Sequence, residues 1–143
     1  MPIFVRQKHE CFYFFYKSFD KFTQNLIVEF DQTCSVANFL ANGIPDYPIS
    51  GDFDTFSITG SIKTSINQFD GSTYRLGDYS HTTDGVSYYT NGDDTWCGSA
   101  RQAQITWYCG DTHIELTSAT EPTQCEYHFE LEINCCHGME YII

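Results

Sequence analysis

Two kinds of residue in this 143-residue chain have types and spacings that could do chemistry: paired carboxylates and dispersed cysteines. The pairs Asp52/Asp54 and Asp93/Asp94 could in principle act as the acid and base of a glycosidic cleavage. Both lie in turn-rich sequence, where solvated turn residues are the plainer reading. The histidines His9, His81, His113, His128 and His137 share no spacing. No Gly-x-Ser-x-Gly elbow, phosphate-cradling glycine loop, His-Glu-x-x-His pair or dinucleotide fingerprint occurs. One cation stands out. After Arg101 there is no Lys or Arg, while Asp111, Glu115, Glu121, Glu126, Glu130, Glu132 and Glu140 follow. A guanidinium there is either one half of a plain salt bridge or a fork of donors offered to a ligand hydroxyl.

The seven cysteines are Cys11, Cys34, Cys97, Cys109, Cys125, Cys135 and Cys136. A close Cys-x-x-Cys pair, which would supply two corners of a metal tetrahedron, is missing, and the adjacent Cys135, Cys136 and His137 are poorly placed to converge on one ion. Spread over strand-like segments, the cysteines read as a disulfide framework, hence an oxidising compartment, with one thiol left over. Met1–Phe19 does not read as a secretion leader, because its apolar stretch Cys11–Tyr16 is short and aromatic. The expectation is a fragment whose start has been removed.

The elements that must position these groups are strands. Aromatics make up 17% of the chain, including ten Tyr and twelve Phe, which favours β structure over a helical bundle or disorder. Tyr127, Phe129, Leu131 and Ile133 alternate with Glu126, His128, Glu130 and Glu132, a period of two with an apolar face inward and an acidic face in water. Ala103, Ile105 and Trp107 repeat the pattern. Further strands are expected at Phe12–Tyr16, Leu26–Phe30, Phe56–Ile58, Ser72–Leu76, Val86–Thr90 and His113–Thr117, with turns at Asp70-Gly71, Asp84-Gly85, Asn91-Gly92 and Gly110-Asp111. Phe19–Phe30 reads equally as a short helix or a strand. Ala41–Asp54, rich in turn formers, reads as a boundary, giving an N-terminal piece over 1–50 and a denser β domain over 51–143. The net charge of −12 repels nucleic acid phosphates and anionic membranes, and no apolar run is long enough to span a bilayer.

Three local words carry a resemblance. Trp96-Cys97-Gly98-Ser99-Ala100-Arg101-Gln102, then Ile105-Thr106-Trp107-Tyr108-Cys109-Gly110, then Thr120-Glu121-Pro122-Thr123-Gln124-Cys125-Glu126-Tyr127 resemble the mannose 6-phosphate receptor homology (MRH) lectin domain. Upstream, Ile66-Asn67-Gln68, Asp70-Gly71-Ser72, Leu76-Gly77 and Tyr89-Thr90-Asn91-Gly92-Asp93 resemble its Val-x-Gln strand, Leu-Gly segment and Tyr-x-Asn-Gly turn. The likeness runs over Ser61–Cys136, about half the chain, and is nearest to the glucosidase II beta subunit type.

The resemblance implies an all-β fold, a flattened β-barrel of two crossed antiparallel sheets stapled by disulfides. It implies Cys97–Cys125 and Cys109 bonded to Cys135 or Cys136, while Cys11 and Cys34 either pair with each other or are arranged differently. Its sugar-contacting types fall on Gln68, Arg101, Glu121 and Tyr127; Gln24, in Phe22-Thr23-Gln24, is the less suitable match for the glutamine. Arg101 and Glu121 would neutralise each other in the empty site.

The implied function is a non-catalytic lectin domain with no cofactor or metal, binding terminal mannose of high-mannose N-glycans on glycoproteins. Its implied setting is the secretory pathway, most specifically the endoplasmic reticulum lumen, with a catalytic glycosidase subunit or quality-control complex as partner. The alternatives are an interaction domain of the same fold without sugar binding, and a phosphomannose receptor or phosphotransferase gamma-like module. The acidic Asp93 and Asp94 near Cys97 disfavour a phosphate dianion.

Overall fold

The computed structural model describes residues 2–7, 10–20, 25–111 and 114–136; Gln24, His9, His113 and His137 lie outside these. The first three strands, β1 (Pro2–Gln7), β2 (Glu10–Asp20) and β3 (Asn25–Cys34), form an antiparallel sheet in that order. The stretch Phe19–Phe30 therefore holds strand ends, not a helix. The one helix among the described residues, α1 (Val36–Ala41), was not expected from the sequence. Ser35 caps it, its Oγ accepting from the Asn38 N–H at 3.1 Å, and Gly43 at φ +100° follows its end.

Eight further strands build the barrel: β4 (Pro48–Phe53), β5 (Phe56–Ser61), β6 (Ser65–Phe69), β7 (Thr73–Thr83), β8 (Val86–Asn91), β9 (Gln102–Cys109), β10 (Ile114–Thr123) and β11 (Glu126–Ile133). Their order is β10-β11-β9-β8-β7-β6-β5-β4. The two crossed sheets are thus one continuous ladder, and β10 packs back against β4 to bring the ends nearly together. Neighbours are antiparallel except β9 and β11, which run parallel with Tyr127 opposite Ala103. The chain leaves β9, forms β10 at the far edge, and returns to fill the slot between them with β11.

Period-two alternation does what the side chains demand. Tyr127, Phe129, Leu131 and Ile133 are buried, as are Ala103, Ile105 and Trp107, and they share one core with Ile58, Ile66, Leu76 and Tyr89. Two polar groups of the core are partnered: the Tyr89 hydroxyl donates to the Ile62 carbonyl, and Trp107 Nε1 donates to Ser87 Oγ at 2.8 Å. The Tyr89 phenol is held well above the usual tyrosine range, mainly by burial. Asp84 and Gly85, both at positive φ, close the β7–β8 hairpin.

Three disulfides staple the barrel: Cys97–Cys125, Cys109–Cys135 and Cys34–Cys136. The last corrects the Cys11–Cys34 alternative. Cys34 and Cys11 are cross-strand neighbours in β2 and β3, yet Cys34 is buried in the barrel core with its sulfur committed to Cys136. Phe39 of α1 packs near Trp107, with ring centroids 6.3 Å apart, and Val36, Leu40 and Ile44 lie against the same core. The 50/51 boundary therefore falls inside β4, and residues from Cys34 onward contribute to the barrel's interior.

Candidate functional site

One mouth of the barrel holds a cleft of about 230 Å³ lined by Gln68, Asp70, Tyr74, Trp96, Arg101, Glu121, Gln124, Cys125 and Tyr127. It is smaller than the roughly 300–1,000 Å³ of drug-sized pockets, a scale suited to one small ring. Gln68, Arg101, Glu121 and Tyr127, the four positions matched from sequence, come together here from four separate segments.

Gln68 sits on β6, opposite Tyr74 of β7. Tyr127 is the second residue of β11, and the parallel register sets Glu126 opposite Gln102, next to Arg101. The Gln102 N–H donates to the Cys125 carbonyl at 3.2 Å, joining the start of β9 to the β10–β11 turn. That turn carries a register shift between Thr120 and Thr123, and Cys125 adopts φ +67°. Glu121 is exposed within it, its Oε1 accepting from the Cys125 N–H at 2.7 Å. One carboxylate oxygen thus secures the turn, while the group as a whole faces the cleft.

Arg101 ends a loop that is fastened from both sides. The Gly92 N–H donates to the Arg101 carbonyl at 3.0 Å, and the Arg101 N–H and Nη1 both donate to the Asp93 carbonyl, at 3.2 and 2.9 Å. Asp93 is in turn held by β7: its N–H donates to the Arg75 carbonyl, and its Oδ2 accepts from the Arg75 N–H, both at 2.8 Å. A Cβ on Gly92 would lie 2.5 Å from the Leu76 carbonyl oxygen, so the close crossing requires glycine. Cys97–Cys125 ties this loop to the hairpin bearing Glu121.

Arg101 is 5% exposed. The expected neutralisation by Glu121 does not occur. Among the described residues no carboxylate lies within 4.0 Å of it, because Glu121 is turned onto the Cys125 amide. Its charge instead rests over the Tyr74 ring, 4.5 Å from the centroid. The Tyr127 phenol lines the same cleft. Burial raises the Tyr127 pKa above the usual tyrosine value, the nearby Arg101 guanidinium opposes this, and Glu121 adds a smaller upward push. At neutral pH the phenol therefore keeps its proton.

Two buried side-chain atoms among the described residues have no hydrogen-bond partner, Gln68 Oε1 and Arg101 Nε, and both residues line this cleft. Buried polar groups in native proteins are almost always satisfied, so an unpartnered acceptor and an unpartnered donor lining one cleft set it apart from the rest of the described interior. Sequence reading missed the cleft-lining places of Tyr74, Asp70, Gln124 and Trp96, the last of which is 82% exposed. Trp96 stood inside a recognised word; Tyr74 had only its strand position, opposite Gln68, to give it away.

The remaining chemical candidates are absorbed structurally. Asp52 accepts from Ser57 Oγ at 2.9 Å and Asp93 fastens β7, so neither acidic pair forms a facing acid and base. His81 stacks on Tyr88 at 4.9 Å and His128 is exposed. No group of three or more metal-ligating side chains occurs among the described residues, and no helix there is long and apolar enough to cross a membrane.

A family model described as glucosidase II beta subunit-like protein matches residues 49–142. Among solved structures, the chain is similar to the MRH domain of glucosidase II beta bound to mannose, at 24% identity and a TM-score of 0.56 over 64% of this chain and 94% of that one. It is similar to a point mutant of the same domain in solution, at 22% identity and a TM-score of 0.56 over 65% and 96%. It is also similar to the MRH domain of Yos9 complexed with alpha3,alpha6-Man5, at 16% identity and a TM-score of 0.56 over 71% and 88%. These likenesses show a shared fold. No curated protein sequence matches the chain.

Proposed function

The chain belongs to the glucosidase II beta subunit-like family, and from that premise we propose that its barrel is a non-catalytic lectin domain that binds terminal mannose through Gln68, Arg101, Glu121 and Tyr127. The observation that carries this reading is the pair of orphaned atoms in the cleft, the Gln68 Oε1 acceptor and the Arg101 Nε donor. A hexose hydroxyl both donates and accepts, so adjacent hydroxyls can satisfy both atoms at once. Glu121 adds an acceptor and Tyr127 a neutral hydroxyl on a rigid ring. Mannose carries an axial 2-hydroxyl where glucose carries an equatorial one. A site that bonds the axial group leaves polar atoms unpaired when glucose enters, a strong basis for discrimination.

The glycan class follows from charge. Asp70 and Glu121 line the cleft beside Arg101. A phosphate dianion would meet two carboxylates and one guanidinium, so unphosphorylated high-mannose N-glycans suit the cleft better than phosphomannose. The disulfide framework supports a secretory-pathway lumen, and the family supports the endoplasmic reticulum in particular, with a catalytic glycosidase subunit as partner. In this reading the lectin unit is the 51–143 domain together with the residues from Cys34 that complete its core.

The test is binding of the oxidised protein to a glycan array and to methyl α-mannoside by calorimetry, for wild type and Arg101→Ala. Mannose-terminated glycans should be retained by the wild type and lost by the variant. A folded wild type that holds no mannosylated glycan would leave an interaction domain without sugar binding as the function.

A further inference from the structure

The Arg101 guanidinium is a buried cation with no carboxylate within ion-pair distance among the described residues, an arrangement that needs some other source of negative potential. The Asp93 carbonyl supplies one dipole at Nη1. Asp70 and Glu121 line the same cleft beyond ion-pair distance, and the contact made directly by an aromatic group is with the face of Tyr74, the guanidinium carbon lying 4.5 Å from the ring centroid. A ring beneath a planar cation does two things: it offsets the desolvated charge, and it fixes the plane so that in-plane N–H groups point past the ring edge.

The geometry points to Tyr74 as a further positioning residue of the binding site: its π-face holds the Arg101 plane so that Nε–H is presented to the ligand. This deepens the lectin reading and rests on it. Three observations converge. Tyr74 lies directly opposite Gln68 in the β6–β7 register, so the residue that supports the donor shares a strand pair with the acceptor. It lines the same cleft and is half-buried, as a wall residue should be. The atom it would orient, Nε, is one of the two left without a partner inside the protein.

Because the ring face does this work, and not the hydroxyl, Tyr74→Phe and Tyr74→Leu should part company. Methyl α-mannoside affinity should stay within about twofold of wild type in Tyr74→Phe and fall about tenfold or more in Tyr74→Leu, a step set by the worth of a desolvated cation–π contact. Tyr74→Ile, a better strand former, repeats the truncation in case leucine disturbs β7. A second readout needs no sugar. In ligand-free protein the Arg101 Nε–H proton resonance should be displaced by the ring current in wild type and Tyr74→Phe, and should move toward its ordinary position in Tyr74→Leu and Tyr74→Ile. Equal affinity in all the variants, equal loss in the phenylalanine and leucine variants, or an Nε–H resonance indifferent to the ring would overturn the proposal. A wild type that binds no mannoside would remove the lectin reading, while the resonance would still decide whether Tyr74 orients the guanidinium.

Discussion

Two arginines touch Asp93 and meet opposite fates. Arg75 lies on the outside of β7, with 45% of its side chain exposed, 3.8 Å from Asp78 and 4.0 Å from the Asp93 carboxylate. Arg101 is 5% exposed, has no such ion pair among the described residues, and takes only the backbone carbonyl of the same aspartate. The solvated arginine has the acidic partners, whereas the buried one has an aromatic face, a phenol and an unspent donor. Stability alone would not arrange charges this way. Exposed ion pairs are worth little, and an unpaired buried cation is costly. The difference separates a charge that decorates a surface from one that the proposed lectin reading assigns to a sugar.

The comparison breaks most decisively at Arg101. Arg101→Lys and Arg101→Met should each lower mannoside affinity by about 100-fold or more, because neither supplies a planar fork of donors. Arg101→Met should nevertheless melt no lower than wild type, since an apolar chain of similar length replaces an uncompensated charge. A large fall in Tm would make Arg101 a structural residue.

Next comes the covalent tie beside the buried arginine. Cys97 and Cys125 close a loop with a sequence separation of 28, and removing both sulfurs as serines should cost on the order of 3 kcal/mol in chemical denaturation. Mannoside affinity should fall as well, because the loop and the Glu121 hairpin lose their common anchor. Unchanged stability would mean the hydrogen bonds of that loop suffice without the bridge.

A smaller effect is expected in alkali. Burial holds the Tyr127 phenol above the usual tyrosine range, so the folded state gives up this proton later than the unfolded chain does. Stability from this group is therefore complete below about pH 10, the unfolded value, and declines as pH rises through the folded pKa. Tyr127→Phe should make denaturation midpoints fall less steeply above about pH 10, whereas Arg75→Ala should leave that slope alone. Arg75→Ala should be the mildest change of all, costing less than about 1 kcal/mol and leaving mannoside affinity intact.

How far the sequence could be read depended on whether a feature is local. The alternation of Tyr127, Phe129, Leu131 and Ile133 against glutamates made β11 legible because strand period and burial are properties of neighbouring residues. The all-β fold was legible for the same reason, and the four cleft positions through short recognisable words. The parallel pairing of β9 with β11 was not, since register between strands leaves no mark within either one. Nor was α1, whose six residues are too few for a helical period and whose main signal is the Ser35 cap. The sign of the charges around Arg101 suggested Glu121 as its neutraliser. Distance decided otherwise, because the carboxylate is drawn to the Cys125 amide by a turn whose shape depends on a disulfide. Tyr74 went unnoticed because a tyrosine on a strand is ordinary until the residue above it is known.

The slot between β9 and β10 is filled by the last strand of the described barrel. β9 and β10 both precede β11 in the chain, yet β11 lies between them, so neither strand has its full set of sheet neighbours until β11 is in place. Tyr127 belongs to β11 and the Glu121 carboxylate is held by the Cys125 amide just before it, so the cleft is complete only with β11 seated. A nascent chain stalled before residue 126 would hold most of a barrel's strands, and a surface more apt to clump than to bind.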